Sequence, residues 1–564
     1  MSYIRIYFKD NTYFASNGFE DKEILKESGF RFISASKRWE TANPVVVSKA
    51  INKLSILPKY QGIDILDEST KIGLSSIKQD RFEYLNKSMS YDSNIEIPIP
   101  VGLSLLGYQK SGVDYISKFQ NVLIADEPGL GKTIECLSAI NYIKNINSVL
   151  VICPAIMKYQ WMKEAKKWLI RDFSVNILND NDALPNFAIT NYESMKKYFD
   201  KLTSRTWDLL ILDESHYIKS RDAQRTRNIT GYYRTETTTQ EDGSTTETKV
   251  WVKGLVNFVK RRWLVTGTPI MNHPFELLQQ LKVINHPLVS TRDAFNSFKE
   301  EYCVLNDRRN KYGVYSIKGY KNLSKLQKEL RATGMLRRSK ENVLPDLPKK
   351  MLEVYVLDPN ILSKEEQEEQ ENMIKSIKTN WDVVSGTVKG SLAEFDQIMK
   401  ARHKASVKKI PMVIDLIEKY LDEEQKIVIF AHFRDVIDQL YNHFKDIAVV
   451  VTGDTSIPKR EEAKELFEKN DNIQLYIGSI MAMGVGISIK GSSMAVFADI
   501  EWRPSDLEQA EDRLHGIERG GNKDSIMYRY VVIDNSIDAY MVQTITEKRR
   551  LISQTIDSNK INNE

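Results

Sequence analysis

Residues 121–133, NVLIADEPGLGKT, decide how the rest of the chain is read. The apolar run NVLIA makes a short strand, and from Lys132 the pattern becomes helical through KTIECLSAINYI. Between them lies a glycine-rich turn. Strand, turn and helix in that order build an anion site, because Gly129 and Gly131 let backbone N–H groups face phosphate and the helix start adds a positive dipole. In that geometry Gly129, Leu130 and Gly131 form the cradle, Lys132 reaches the β and γ oxygens of a nucleotide, and Thr133 offers a hydroxyl to Mg2+. The strict pattern G-x-x-x-x-G-K-[ST] fails at its first glycine, where this chain has Asp126, which is counted with the loop among the nucleotide-binding positions.

Outward from this loop the same alternation repeats: SVLVICP before a helix through KYQWMKEAKKWL, then DLLILDE and RRWLVTG. Short apolar strands alternating with amphipathic helices indicate a parallel sheet covered on both faces. DLLILDESH ends such a strand in Asp213 and Glu214, where a parallel sheet opens its binding crevice. Two carboxylates there are costly to bury without a cation. Asp213 is suited to hold Mg2+ through its water shell and Glu214 to orient and deprotonate an attacking water. A second series, KIVIF, RDVIDQLYNHF, IAVVV, IQLYI, MAVFAD and IMYRYVV, follows a charged helical stretch and implies a second α/β lobe.

The chain has 564 residues, 41% hydrophobic and 28% charged, enough for three or four folded units. No apolar run approaches the roughly 18 residues of a membrane span, and MSYIRIYFKDNTYF lacks a signal-peptide pattern, so an intracellular protein is expected. Cys136, Cys153 and Cys303 are far apart with no C-x-x-C pairing, and read as free thiols. Residues 1–60 carry ten Lys+Arg against six Asp+Glu, an excess of +4 that suggests a polyanion partner. The expected order is a small α+β module over 1–60, a linker over 61–100 ending in EIPIPVG, and lobe 1 over 101–345. A helical protrusion and linker over 346–425 and lobe 2 with a C-terminal helix over 426–564 complete it. Within lobe 1, two Thr-rich arms around Glu241-Asp242-Gly243 predict a protruding hairpin over about 230–252.

ADEPGLGKT, DESH and LVTGTPIMN resemble motifs I, II and III of the Swi/Snf-type DNA translocases of helicase superfamily two. The resemblance extends over about 101–545. LLGYQKSGVDYI resembles the segment before motif I, VICPAIMKYQW motif Ia, and MLRRSKENVLPDLPKK the bridge between lobes. KIVIFAHF resembles motif IV, SIMAMGVGISIKGSSMAVFADIEWRP motif V with the segment after it, and QAEDRLH the start of motif VI. It implies an α/β fold of two RecA-like lobes with parallel sheets and helical protrusions, binding ATP and Mg2+ between the lobes and DNA across both. By the same resemblance Gln109 reads adenine, Arg513 contacts the γ-phosphate and Trp502 contacts DNA. More weakly, GFRFISASKRWETANPVVVSKAI resembles the HARP-type module found beside annealing-helicase motors, which implies DNA contacts from Arg31, Lys37, Arg38 and Trp39.

The chain departs from the family at motif VI, where QAxDRxHRIGQ carries a second arginine and this sequence has Gly516. Three residues of helix bring side chains within about 60° of each other, so positions 513 and 516 share a face. Gly516 and Gly520-Gly521 favour an early helix end, after which a loop returns Arg519 to the phosphate in the preferred reading. The resulting expectation is a DNA-dependent ATPase that translocates on and remodels forked or branched DNA, by strand annealing or fork regression, in replication or repair. The alternatives are displacement of DNA-bound proteins, and a slow-turnover nucleotide-gated clamp. Double-stranded and forked DNA are the expected partners, with a single-stranded-DNA-binding protein a further one, no membrane, and a monomer as the unit. A prokaryotic or viral cytoplasm is the favoured location, or the nucleus if the host is eukaryotic.

Overall fold

Two parallel sheets, each fed by the strand-and-helix alternation of the sequence, carry the chain from residue 121 to residue 533. The computed structural model describes Ile4–Asp557 apart from residues 10–11, 17–20, 29, 34–37, 42–46, 48–49, 52, 55–56, 58–59, 61–65, 67, 181–182, 240–244, 272, 291, 310–314, 383–386, 389–391, 423–425, 484–488 and 516–524. In the first lobe seven strands lie in the order Met335–Leu336, Asn121–Ile124, Val259–Val265, Trp207–Asp213, Val149–Cys153, Phe187–Asn191, Val175–Ile177. All their pairings are parallel. The central strands are buried on both faces, which is why they read as continuous apolar runs instead of alternating ones. The carboxyl ends of Asn121–Ile124 and Trp207–Asp213 bring the phosphate loop and the acidic pair to one edge.

The second lobe has six parallel strands in the order Lys350–Leu357, Ile526–Ile533, Met494–Phe497, Ile427–Ala431, Leu475–Ser479, Ala448–Val451. Its first strand falls inside the segment read from sequence as helical protrusion. MLEVYVL is apolar and β-branched, but its residues stay largely exposed at the sheet edge, so the charged helices after it dominate the pattern. Those helices are Lys364–Asn380 and Leu392–Leu421.

Two further segments differ from the sequence reading. The stretch 61–100 contains a 20-residue helix, Glu68–Lys87, with no clean apolar stripe. It is tied down by charge: Arg81 pairs with Glu329 at 2.9 Å and Lys87 with Asp114 at 3.1 Å. The C-terminal helix Ile537–Ile556 does not belong to one lobe. Ile537, Met541 and Ile545 lie in the lobe-2 core, whereas Ile552 and Ile556 lie in that of lobe 1.

The N-terminal module is an antiparallel sheet in the order Arg5–Lys9, Thr12–Ser16, Arg38–Thr41, Arg31–Ile33, with the helix Lys22–Ser28. Arg38–Thr41 is an interior strand absent from the sequence reading. The Thr-rich arms do pair, Tyr232–Thr239 against Thr245–Val252; the predicted turn at 241–243 lies outside the described residues.

Candidate active site

The turn after strand Asn121–Ile124 has both of its glycines in the left-handed region, Gly129 at φ 85° and Gly131 at φ 83°. Gly131 is needed twice over, since a Cβ there would stand 2.5 Å from Nε2 of Gln109. Gln109 closes the cradle from the helix Gly107–Ser117: its Oε1 accepts from the Leu106 N–H at 3.0 Å, and its Nε2 donates to the Leu130 carbonyl at 3.3 Å. Leu130 is buried, and its carbonyl also accepts from the Tyr108 hydroxyl at 3.0 Å. Lys132 and Thr133 open the helix Lys132–Tyr142. The Lys132 ammonium folds onto the loop, donating to the carbonyls of Asp126 at 2.9 Å and Glu127 at 3.1 Å. Burial lowers its pKa, opposed by the charges of Glu214, Asp126 and Asp213.

Asp213 is 6% exposed and accepts from the Trp161 indole N–H at 2.7 Å and from the Glu214 backbone N–H at 3.0 Å. Burial, reinforced by the adjacent Glu214, pushes its pKa up to about 7. Glu214 takes a left-handed backbone, φ 50°, that turns its side chain differently from its neighbour's. Its Oε2 accepts from the Thr266 hydroxyl at 3.0 Å and lies 3.2 Å from Nδ1 of His216. Burial works against ionisation, yet the hydrogen bond and charge of His216, with Lys132 and Thr266, hold this carboxyl well below its usual range. Two adjacent carboxyls are thereby set apart: one resists losing its proton, the other is ionised at neutral pH.

Asp126 is a correction. Read from sequence as a nucleotide-binding position, it is fully buried and taken by Arg338, whose backbone N–H donates to Oδ1 at 2.8 Å and whose Nε donates to Oδ2 at 2.9 Å. The same guanidinium reaches Glu135 and the Tyr108 carbonyl. The missing first glycine of the loop is thus a framework carboxylate. Beside it, Arg337 donates to the carbonyls of Ala125 at 2.8 Å and Gly267 at 3.0 Å, and to Asp557 at 2.8 Å. RRSK, noticed in the sequence only as a bridge between lobes, therefore supports the loop directly. Trp161 and Thr266 also went unassigned; their signals were the aromatic after VICP and the threonine of LVTGTP.

Arg513 belongs to lobe 2 and follows the helix Pro504–Glu511. Its Nε donates to the Gln509 carbonyl at 2.9 Å, and burial lowers its pKa against the opposing charges of Asp512 and, across the cleft, Glu214. Arg519 and Gly516 lie outside the described residues, as does Lys37; the side chain of Arg31 is likewise not described. Arg38 is exposed, while Trp39 is half-buried against the module core with its ring 5.3 Å from that of Phe32. Trp502 is also half-buried, packed on the lobe-2 core. The Thr133 hydroxyl and the Asp213 carboxylate are hard oxygen donors, the kind Mg2+ takes, and a cation would relieve the buried charge of Asp213. All three cysteines are buried and free. No helix among the described residues is long and apolar enough to cross a membrane.

The family description "SNF2-related domain" matches residues 108–237 and 246–403, and "Helicase conserved C-terminal domain" matches 408–518. The interruption falls on the hairpin tip. A Caenorhabditis elegans homologue of "SWI/SNF-related matrix-associated actin-dependent regulator of chromatin subfamily A-like protein 1" is 30% identical over 94% of this chain and 72% of its own length. The human "DNA annealing helicase and endonuclease ZRANB3" is 26% identical over 82% of this chain, which spans 41% of that protein. The solved structure of the "Sulfolobus solfataricus SWI2/SNF2 ATPase core in complex with dsDNA" matches 83% of this chain and 96% of that one, at 19% identity and a TM-score of 0.37. With a two-lobed parallel-sheet core, the loop and acidic pair of lobe 1 and more than half its length matched, the chain belongs to the SNF2-related family.

Proposed function

We propose that this chain is an ATP-dependent DNA translocase that remodels forked or branched DNA, by strand annealing or fork regression, in replication or repair. The observation that carries the reading is the meeting of the two lobes beside the phosphate loop: Lys340, bonded to Glu127 of lobe 1 at 2.7 Å, donates to Asp512 of lobe 2 at 2.9 Å and to the His515 carbonyl, the residues on either side of the Arg513 segment. A nucleotide held on one lobe is then sensed by the other, and hydrolysis becomes relative motion. The names of the annealing-helicase relatives support the choice of strand annealing.

Bound MgATP supplies the transferable phosphoryl group and the charge that draws the lobes together. Lys132 exchanges loop carbonyls for phosphate oxygens, because its two present acceptors are neutral and an anion is the stronger partner. Thr133 and Asp213 would hold the metal, which would offset the charge of the phosphates. Glu214, ionised and oriented by Thr266 and His216, accepts the proton of the attacking water. Arg513 stabilises the charge that develops on the γ-phosphate, with Arg519 as its partner in the reading taken from sequence. Gln109 contacts adenine through Nε2, the end with the longer internal hydrogen bond. On the DNA side, Arg31, Lys37 and Arg38 neutralise phosphates and the uncovered parts of Trp39 and Trp502 stack. A protein that coats single strands is a further partner and the monomer the working unit; the compartment follows the host, the nucleus in a eukaryote.

ATP hydrolysis measured on single-stranded, duplex, forked and four-way DNA, with and without residues 1–60, tests this. Forked substrates should stimulate most, and truncation should reduce that preference while leaving stimulation by duplex. If forks do no better than linear duplex and truncation changes nothing, fork remodelling fails and a translocase displacing bound proteins is left. ATP binding without DNA-stimulated turnover identifies the clamp instead.

A further inference from the structure

Lys340 stands where the chain leaves lobe 1, and it touches both lobes. Its backbone N–H donates to Glu127 Oε2 at 2.7 Å, anchoring it to the start of the phosphate loop. Its side chain then runs past Gly129: a Cβ built on that glycine would lie 3.4 Å from Cε and 3.5 Å from Nζ of Lys340. The ammonium ends on lobe 2, donating to Asp512 Oδ1 at 2.9 Å and to the carbonyl of His515. The residue is 2% exposed.

The carboxylate that holds its ammonium is shared. Asp512 is already held by a second ammonium, that of Lys350, at 2.7 Å. Lys350 keeps partial access to solvent and has Glu511 as a second carboxylate at 3.4 Å, whereas the buried ammonium of Lys340 is bonded, among the described residues, only to the carboxylate it shares and to one carbonyl, a position that an added anion would stabilise. Among the described residues, only two of the three N–H donors of Lys340 are taken. The group lies against the glycine of a loop shaped for phosphate. The carbonyl that holds it belongs to the residue just before Gly516, where the chain itself carries no cation.

We infer that Lys340 is a second cation, beside Arg513, for the terminal phosphates of the bound nucleoside triphosphate, and that it carries the signal of those phosphates between the lobes. This rests on the ATP-dependent reading above. With the triphosphate present, Lys340 shares its ammonium between phosphate oxygens and the end of the Pro504–Glu511 helix region. With the diphosphate, only Asp512 and the His515 carbonyl hold it.

The test compares wild type with Lys340→Met, Lys340→Arg, Arg519→Ala and the double variant Lys340→Met with Gly516→Arg. It reads binding of ADP, binding of ADP–beryllium fluoride, and duplex-stimulated ATP hydrolysis. Lys340→Met should bind ADP within about twofold of wild type, bind the beryllium fluoride complex at least about tenfold more weakly, and lose about 10²-fold in kcat, the size of effect of one electrostatic donor. Lys340→Arg should recover most of that loss and Gly516→Arg part of it. A lysine that only shapes the loop weakens both ligands alike, and that result, or an unchanged kcat, overturns the inference. So does loss of the discrimination in Arg519→Ala with Lys340→Met unaffected. If Lys340→Met melts lower than wild type, the ratio of the two affinities still decides, since a loosened fold lowers both. A wild-type chain that hydrolyses no ATP would instead remove the functional reading beneath.

Discussion

Two buried charge clusters share the phosphate loop, and they are built on opposite plans. In the first, Arg338 serves Asp126 and Glu135, both fully buried. Burial pushes Glu135 up to about 8 despite the arginine, so near neutrality one guanidinium faces one carboxylate and one carboxylic acid. In the second, Asp213 and Glu214 lie side by side with Lys132 turned to the loop carbonyls. The Trp161 indole holds Asp213, and the Thr266 hydroxyl and His216 hold Glu214. A cluster that balances its own charge is framework. One that leaves charge over is waiting for a ligand, and removing members of the two should have different consequences.

The largest effect is expected in the unbalanced cluster. Glu214→Gln should lower DNA-stimulated kcat by about 10³-fold, within the range for a lost general base, with a melting temperature close to wild type. Steady-state kinetics beside a thermal melt would show it; a large drop in stability would make Glu214 framework and erase the distinction. In the balanced cluster Arg338→Met should do the reverse. It leaves Asp126 with no cation and should destabilise the protein by about 3–5 kcal/mol, the cost of breaking a buried pair on one side. Denaturant melts that differ little from wild type would contradict that assignment. Gly112 makes the same point sterically, since a Cβ there would come within 2.7 Å of the Arg338 guanidinium.

A smaller change should follow Trp161→Phe, which removes one hydrogen bond to a carboxylate, worth about 1.5–3 kcal/mol when Asp213 is ionised. Melts at pH 8 and pH 5 should show the loss mainly at the higher pH; an equal loss at both would mean that only packing was disturbed. Asp213→Asn should act with the opposite sign. The folded pKa of about 7 is above the unfolded value of about 3.9, so the favourable contribution is present below about pH 4 and lost as pH rises through 7. Without nucleotide the variant should therefore melt a few degrees above wild type at pH 8, with the gap closing toward pH 5. Glu214, held low, acts the other way and loses its contribution as pH falls below its unfolded value.

The loop, the DE pair and both sheets were legible because each is local: a strand ends, a helix begins, and the residues at the junction face one edge. The strand Lys350–Leu357 was missed because it is a sheet edge with exposed apolar residues, followed by a charged helix that masks it. The strand Arg38–Thr41 was missed because RWET has too few apolar residues to announce itself. Asp126 was grouped with the nucleotide because it occupies the place of the loop's first glycine, while its partner stands 212 residues away.

Sequence alone was enough for the order of motifs, the two-lobed α/β plan and the placing of Lys132, Thr133, Asp213 and Glu214 at strand and helix ends, since periodicity and junction residues act over a few positions. Only the folded chain decided which charges are matched. Arg338 meets Asp126, Lys340 meets Asp512 and His515, and Ile552 and Ile556 of a lobe-2 helix enter the core of lobe 1. Burial and counter-charge depend on residues far apart in the chain, and they determine whether a carboxylate or an ammonium is held as framework or left for a ligand.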